Sequence, residues 1–276
     1  MNPHKAPIAS IKEPFASFWR NRELILQLAK REVISRYRGS VMGLAWSFFN
    51  PILMLIVYTF VFSVVFKSHW GGAAEHSRAS FAIILFAGLI VHGMFAECAI
   101  RAPGLILANV NYVKRVVFPL EILPWVAMAS TVFHAGISLL VLLLAQLLLN
   151  HTMPFTAVFF PVVLLPLLLI TMGVAWFLSA IGVYLRDVSQ TIGLLTTLLL
   201  FLSPVLYPVS SLPEAYQLWA RLNPLTYTLE EGRSSLIFGQ MPNWSGWGKH
   251  MIVSAIIAWI GFWWFQKSRK GFADVL

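Results

Sequence analysis

The chain has 276 residues, 58% of them hydrophobic and only 11% charged, with a formal net charge of +9. Soluble domains carry charge on about a quarter of their residues, so this composition excludes a water-soluble globular fold and implies an integral membrane protein. The single cysteine, Cys98, lies inside an apolar run, which excludes a disulfide framework and any cysteine-histidine metal spacing.

Residues 1–20 are polar and of mixed charge, without the short apolar core of a cleavable signal peptide. Over 22–38, Leu26, Ala29, Val33 and Tyr37 form one stripe, with Arg31, Ser35 and Arg38 on the opposite side. That pattern predicts an amphipathic helix lying flat in the membrane interface, although the same cations also suit a plain topological anchor. A bilayer core of about 30 Å takes roughly 20 apolar residues per helix. Candidate spans are 44–66, 81–100, 120–149, 155–185, 190–207 and 247–265. They divide the chain into an N-terminal region (1–43), a six-span domain (44–265) and a tail (266–276). The third and fourth are long enough to tilt. The fifth is barely sufficient and meets Ser203-Pro204 and Tyr207-Pro208, so a short or broken helix is expected there.

Two connections have structure of their own. Residues 101–119 (RAPGLILANVNYVKRVVFP) are bracketed by Pro103 and Pro119, too long for a simple turn and apolar enough to pack against something, with a solvated loop as the alternative. A short helix over about 106–117 would present Asn109, Tyr112, Lys114 and Arg115 to a protein partner. In 204–246, Ser211 to Glu214 has the form of a capping box. Ala215, Leu218, Trp219 and Leu222 then repeat with helical spacing up to Asn223-Pro224, and a second helix is expected over about 225–238. Beside a short fifth span, two such helices predict a re-entrant hairpin over 204–238, with Tyr207 and Trp219 at an exit.

With the N-terminus inside, only Lys67, Arg78, Arg221, Arg233 and Lys249 of the 20 lysines and arginines fall outside. The positive-inside rule then places both termini in the cytoplasm, and topology explains the basic charge without nucleic acid.

The 11 carboxylates form no D-x-D or paired cluster at a span mouth, and adjacent Glu230 and Glu231 point to different helix faces. Glu97 and Arg101 are four apart in the favourable order, either as a structural pair or as a gate. His92 and His134 lie within spans, each isolated in sequence, which suits neutral histidines bonded between helices better than a proton relay. No phosphate-binding G-x-x-x-x-G-K-[ST] motif exists. The reading is therefore an all-α membrane protein with no catalytic site, cofactor or metal of its own. A permease driven by a separate ATPase, which would hold the ATP and Mg, is more economical than a passive pore.

Six stretches carry a family resemblance: SRYRGSVMGLAWSFFNPILMLIVYTFVF (35–62), NYVKRVVFPLEILP (111–124), YLRDVSQ (184–190), LSPVLYP (202–208), LNPLT (222–226) and RKGFADVL (269–276). Together they resemble the membrane subunit of type-2 ABC exporters for cell-surface polysaccharides: O-antigen, capsule and teichoic acid permeases. The first and last stretches lean to the O-antigen branch. The resemblance implies a homodimer in the bacterial inner membrane, two copies of a cytoplasmic ATPase, and a channel for a lipid-linked polysaccharide. It also makes 22–38 the interface helix, 106–117 the coupling helix and 204–238 the periplasmic hairpin.

On the first span, Ser47, Met54, Tyr58 and Phe62 share one face. A smooth aromatic wall with scattered hydroxyls suits a sliding glycan, and a kink at Pro51 would curve it around a channel. Arg31, Arg36 and Arg38 are expected to meet a lipid pyrophosphate or the anionic leaflet. A small-amphiphile or drug permease and a membrane enzyme of glycan assembly are the alternatives.

Overall fold

The computed structural model describes residues 10, 12–65, 78–113, 118–151 and 153–276, which are helical in every regular element and contain no strand. Two helices open it, α1 (Glu13–Arg20) and α2 (Arg22–Arg36). A 3₁₀ turn leads into α3 (Trp46–Tyr58), which continues as a π-helical stretch over Thr59–Val65. Then come α4 (Arg78–Arg101), the four-residue α5 (Val110–Val113), α6 (Leu123–Asn150), the short α7 (Phe160–Val163) and α8 (Leu165–Tyr184). The chain continues through α9 (Val188–Leu202), α10 (Glu214–Leu222), α11 (Pro224–Leu236), α12 (Trp244–Ser268) and α13 (Phe272–Val275).

Five segments among the described residues are long and apolar enough to cross a membrane: Gly43–Phe62, Phe81–Gly104, Leu120–Asn150, Phe155–Tyr184 and Trp244–Val275. The fifth expected span is α9, a helix of 15 residues. At 1.5 Å per residue it reaches about 22 Å, short of a full bilayer core. It stops at Ser203, whose backbone is extended, as the following proline requires.

Backbone contact at glycine holds the densest part together. Gly173 of α8 lies so close to α12 that an added Cβ would sit 2.8 Å from the Ala258 Cα, and one on Gly261 would collide with the backbone of Gly173. Only glycine permits this approach. Around it Trp176 packs edge-on to Phe262 (5.0 Å between centroids) and to Trp125 (5.6 Å). Gly182 meets the backbone of Pro103 in the same way, so α8 also seats the start of the 101–119 connection.

The bundle has two ends with different fittings. At one, Cys98, Ala102, Ile106, Leu123, Val183, Phe265 and Phe272 share a core, joining the 101–119 connection to the tail. At the other, Ile83, Phe86, Leu142, Phe160, Leu225 and Leu229 bury the hairpin.

Local details depart from the sequence reading. Helix α1 was not expected; Pro14 in its first turn and Phe18, whose ring packs at a tilt 4.7 Å from that of Trp125, account for it. Helix α2 buries Ile25 and Ala29 against Ile122 and Val126, and Val33 is buried as well, while Leu26 is 65% exposed. Ala29 and Val33 of the expected stripe are therefore buried, and Ile25 takes the place of Leu26 at its start. The capping box does not form: Pro213 occupies the N-cap position of α10, and the Ser211 hydroxyl donates to the Pro208 carbonyl at 2.8 Å. Asn223 caps α11 instead, its side-chain oxygen accepting from the Leu225 amide at 3.0 Å. Of the expected helix over 106–117, the described part is a 3₁₀ turn (Leu107–Asn109) followed by α5, and 114–117 lie outside the described residues. Pro51 sits inside α3, and the departure from α geometry comes later, at Thr59–Val65.

Candidate functional site

A cavity of about 430 Å³ opens between α3, α4 and α6, with Leu200 of α9 closing one side. From α3 it takes Ser47, Asn50, Pro51, Met54 and Tyr58, from α4 Ile90, His92, Met94 and Glu97, and from α6 Thr131, His134 and Ser138. Apolar walls carrying spaced hydroxyl, imidazole and phenol groups suit a polar chain with apolar C–H faces better than one tightly gripped solute. Ser47 donates to the Leu44 carbonyl at 2.7 Å, and His92 Nε2 donates to the Thr196 carbonyl at 3.1 Å, tying α4 to α9. The Thr131 hydroxyl, on a residue 1% exposed, has no hydrogen-bond partner among the described residues and lines the cavity.

Of the expected conduit face, Ser47, Met54 and Tyr58 form the cavity wall. Phe62 lies one turn beyond it, 6.4 Å from the Tyr58 ring and 5.7 Å from Phe81, so it extends the aromatic line away from the cavity.

Charged side chains crowd the mouth. Glu97 and Arg101 are 3.6 Å apart, as their spacing predicts, but each also has a partner on α2: Arg36 pairs with Glu97 and Glu32 with Arg101. His134 is not isolated, its Nδ1 lying 3.3 Å from Glu97 and 3.2 Å from Arg36. The other ring nitrogen is 3.3 Å from the Tyr37 hydroxyl. Burial raises the Tyr37 phenol above its ordinary pKa, with smaller opposing influences from Arg36 and Glu97, so it meets His134 as a neutral group.

The three arginines proposed for lipid contact therefore separate. Arg36 is drawn into this cluster, Arg31 donates to the Tyr112 hydroxyl at 3.2 Å, and Arg38 is exposed in the turn after α2. In segment 101–119, Tyr112 stacks flat on Phe118, with centroids 4.2 Å apart. Asn109 donates to the Leu105 carbonyl of its own turn at 2.9 Å. Lys114 and Arg115 lie outside the described residues. At the hairpin, the Tyr207 hydroxyl donates to the Phe201 carbonyl at 2.9 Å, and Trp219 is exposed on α10.

Two residues carry more than the sequence reading gave them. Arg233, counted there as a loop cation, is 3% exposed. Its guanidinium donates to the carbonyls of Ile84 (3.1 Å), Pro204 (2.6 Å) and Val205, where the break after α9 frees carbonyls from helical bonding. A Cβ on Gly88 would occupy the place of that guanidinium. Glu121 accepts from Ser17 of α1 at 3.2 Å and from Arg269 of the tail at 2.7 Å. Arg269 also donates to the Phe118 carbonyl at 3.1 Å, so both terminal regions meet beside segment 101–119. The small residues flanking Arg233 (Gly232, Ser234 and Ser235) were the available hint that its helix packs closely.

A helical bundle with five membrane-length segments, and an apolar-walled cavity with scattered polar groups beside one of them, defines a multi-pass membrane protein. The family model for ABC-2 type transporters matches residues 23–237, and the chain belongs to that family. It is 28% identical to the O-antigen export system permease protein RfbA of Myxococcus xanthus, over 92% of this chain and 95% of that one. The Klebsiella pneumoniae protein of the same name is 24% identical over the same shares. The polysialic acid transport protein KpsM of Escherichia coli is 23% identical over 76% of this chain and 79% of its own.

Proposed function

We propose that this chain is the channel-forming subunit of an ATP-driven exporter that moves a lipid-linked polysaccharide, of the O-antigen class, across the bacterial inner membrane. The observation that carries this reading is the cavity beside α3. Its Tyr58 ring and scattered hydroxyls offer many weak contacts and no deep polar pocket, so a sugar chain can slide without being held. The O-antigen export and polysialic acid transport relatives, matched over most of the chain, support the substrate class.

The working unit is a homodimer with two cytoplasmic ATPase subunits, which bind the ATP and Mg. The bare outer surface of α3, where Phe48, Ile52, Leu53 and Ile56 are exposed, supports a second copy or lipid against that span. Segment 101–119 receives the ATPase through Tyr112, Lys114 and Arg115, with α2 beside it at the interface. Six crossings, α9 being the fifth, put both termini in the cytoplasm and the 204–238 hairpin outside. The basic charge distribution supports this orientation, as does the meeting of Ser17, Glu121 and Arg269 beside the coupling segment.

The test is export from the complex reconstituted with its ATPase. Lipid-linked glycan should appear across the membrane in an ATP-dependent manner, and small amphiphiles should not. Tyr58→Ala with Phe62→Ala should lower glycan export at least tenfold while ATPase co-purification is unchanged. Normal export by this double variant removes the conduit assignment, and preferential export of amphiphiles replaces the polysaccharide reading.

A further inference from the structure

Helices α2 and α4 each carry a glutamate four residues before an arginine: Glu32 and Arg36 on one, Glu97 and Arg101 on the other. The structure joins them in reverse order, Glu32 to Arg101 and Arg36 to Glu97. Every charge in this square has an opposite charge across from it. His134 of α6 closes one corner at 3.3 Å from Glu97.

The backbone of α2 rests on α6, so these side chains are what bind α2 to α4. One residue before Glu32, Arg31 reaches Tyr112 of the coupling segment at 3.2 Å. At the other end, Arg36, Glu97 and His134 line the cavity. A chain of direct contacts thus runs from Tyr112 through Arg31 and α2 to the cavity mouth.

A topological anchor needs cations near the headgroups; it gives no reason for carboxylates opposite them. Nor is the square a large source of stability. The four side chains are 23% to 51% exposed, where water screens each pair to a small net contribution. What such a network supplies is position.

We infer that the reversed Glu–Arg ladder is the positioning element that carries movement of segment 101–113 to the mouth of the cavity. With the ladder made, α2 is held across the mouth by Arg36 and Tyr37. When Tyr112 moves, Arg31 draws α2 away, the rungs part, and the mouth widens. This rests on the reading of the chain as an ATPase-driven exporter.

Reversing one helix alone tests it, because E32R/R36E and E97R/R101E each keep their own i, i+4 pair while facing like charge with like. Combining all four substitutions restores opposite charges at every contact. In the purified permease alone, amide exchange over 22–36 should rise at least tenfold in either single-helix reversal and return to within twofold of wild type in the combination. In the complex with its ATPase, either reversal should lower glycan export at least tenfold with ATP hydrolysis within twofold of wild type. The combination should recover at least half of the export. The milder R36Q and E97Q variants form a second cycle, in which the double variant should be no worse than either single.

Unchanged exchange and export in the reversals, within a complex that exports glycan, overturn the ladder alone. So does a combination no better than its parts, or effects of R36Q and E97Q that multiply. Exchange that follows the ladder in a wild-type complex that exports no glycan overturns the export reading, and the coupling role with it.

Discussion

In an 18-residue apolar stretch of span Phe81–Gly104, 78% is buried inside the chain, whereas in that of span Gly43–Phe62 only 11% is, although the two are neighbours of similar length and hydropathy. The first carries α4, which packs on α3, α6, α8, α9 and α11 and holds the hairpin through Ile84. The second carries α3, which leans on α6 and leaves most of its circumference free. Hydropathy puts both in the membrane but does not say which is scaffold and which is wall. Small residues do: Gly88 admits Arg233, and Gly173 and Gly261 let α8 and α12 touch. The cavity lies on the border between the two regimes, with a fixed side on α4 and a lightly held side on α3.

Four substitutions would break or sharpen this contrast, each read from the thermal midpoint of the purified chain in detergent and calibrated to free energy. Arg233→Met should be the most damaging, at about 4 kcal/mol, because buried carbonyls at Ile84, Pro204 and Val205 lose a charged donor together. Gly261→Leu should cost about 3 kcal/mol, at the top of the usual overpacking range, since the obstacle is backbone that cannot rotate away. Tyr184→Phe should cost about 1 kcal/mol for the lost bond from its hydroxyl to the Ser268 carbonyl, 2.8 Å away. Ile56→Ala, on the free side of α3, should fall within about 0.5 kcal/mol of wild type. A large loss at Ile56 in the isolated chain, or a negligible one at Arg233, would erase the distinction between wall and scaffold.

The spans were legible because a bilayer demands long apolar runs, and the shortness of α9 was legible because Ser203-Pro204 cannot continue a helix. The pair of helices α10 and α11 showed itself through the spacing of Ala215, Leu218, Trp219 and Leu222 and through Asn223-Pro224, which separates them. The buried line of α2 was legible at Ala29 and Val33 but not at its start, because periodicity reports that a helix has an apolar side and not where its neighbour stands. Ile25 was chosen over Leu26 by Ile122 and Val126, far along the chain. Arg233 was missed for a related reason: the Ile84 carbonyl it reaches is 149 residues away. Around the cavity, Ser47, Met54 and Tyr58 could be read from a single helical face, while His134 could not be joined to Glu97 without the fold. Glu32 drew no notice, because its partner Arg101 was already assigned to Glu97 by the i, i+4 rule.

The reversed order of the Glu–Arg square has a consequence for how far α2 can slide. A one-turn shift, about 5.4 Å, would bring Glu32 to Glu97 in one direction and Arg36 to Arg101 in the other. Either stop sets like charges face to face, so the helix has one favoured register and a penalty on both sides of it. The ladder therefore works as a detent: it lets α2 swing out and return, and it discourages α2 from settling a turn out of step.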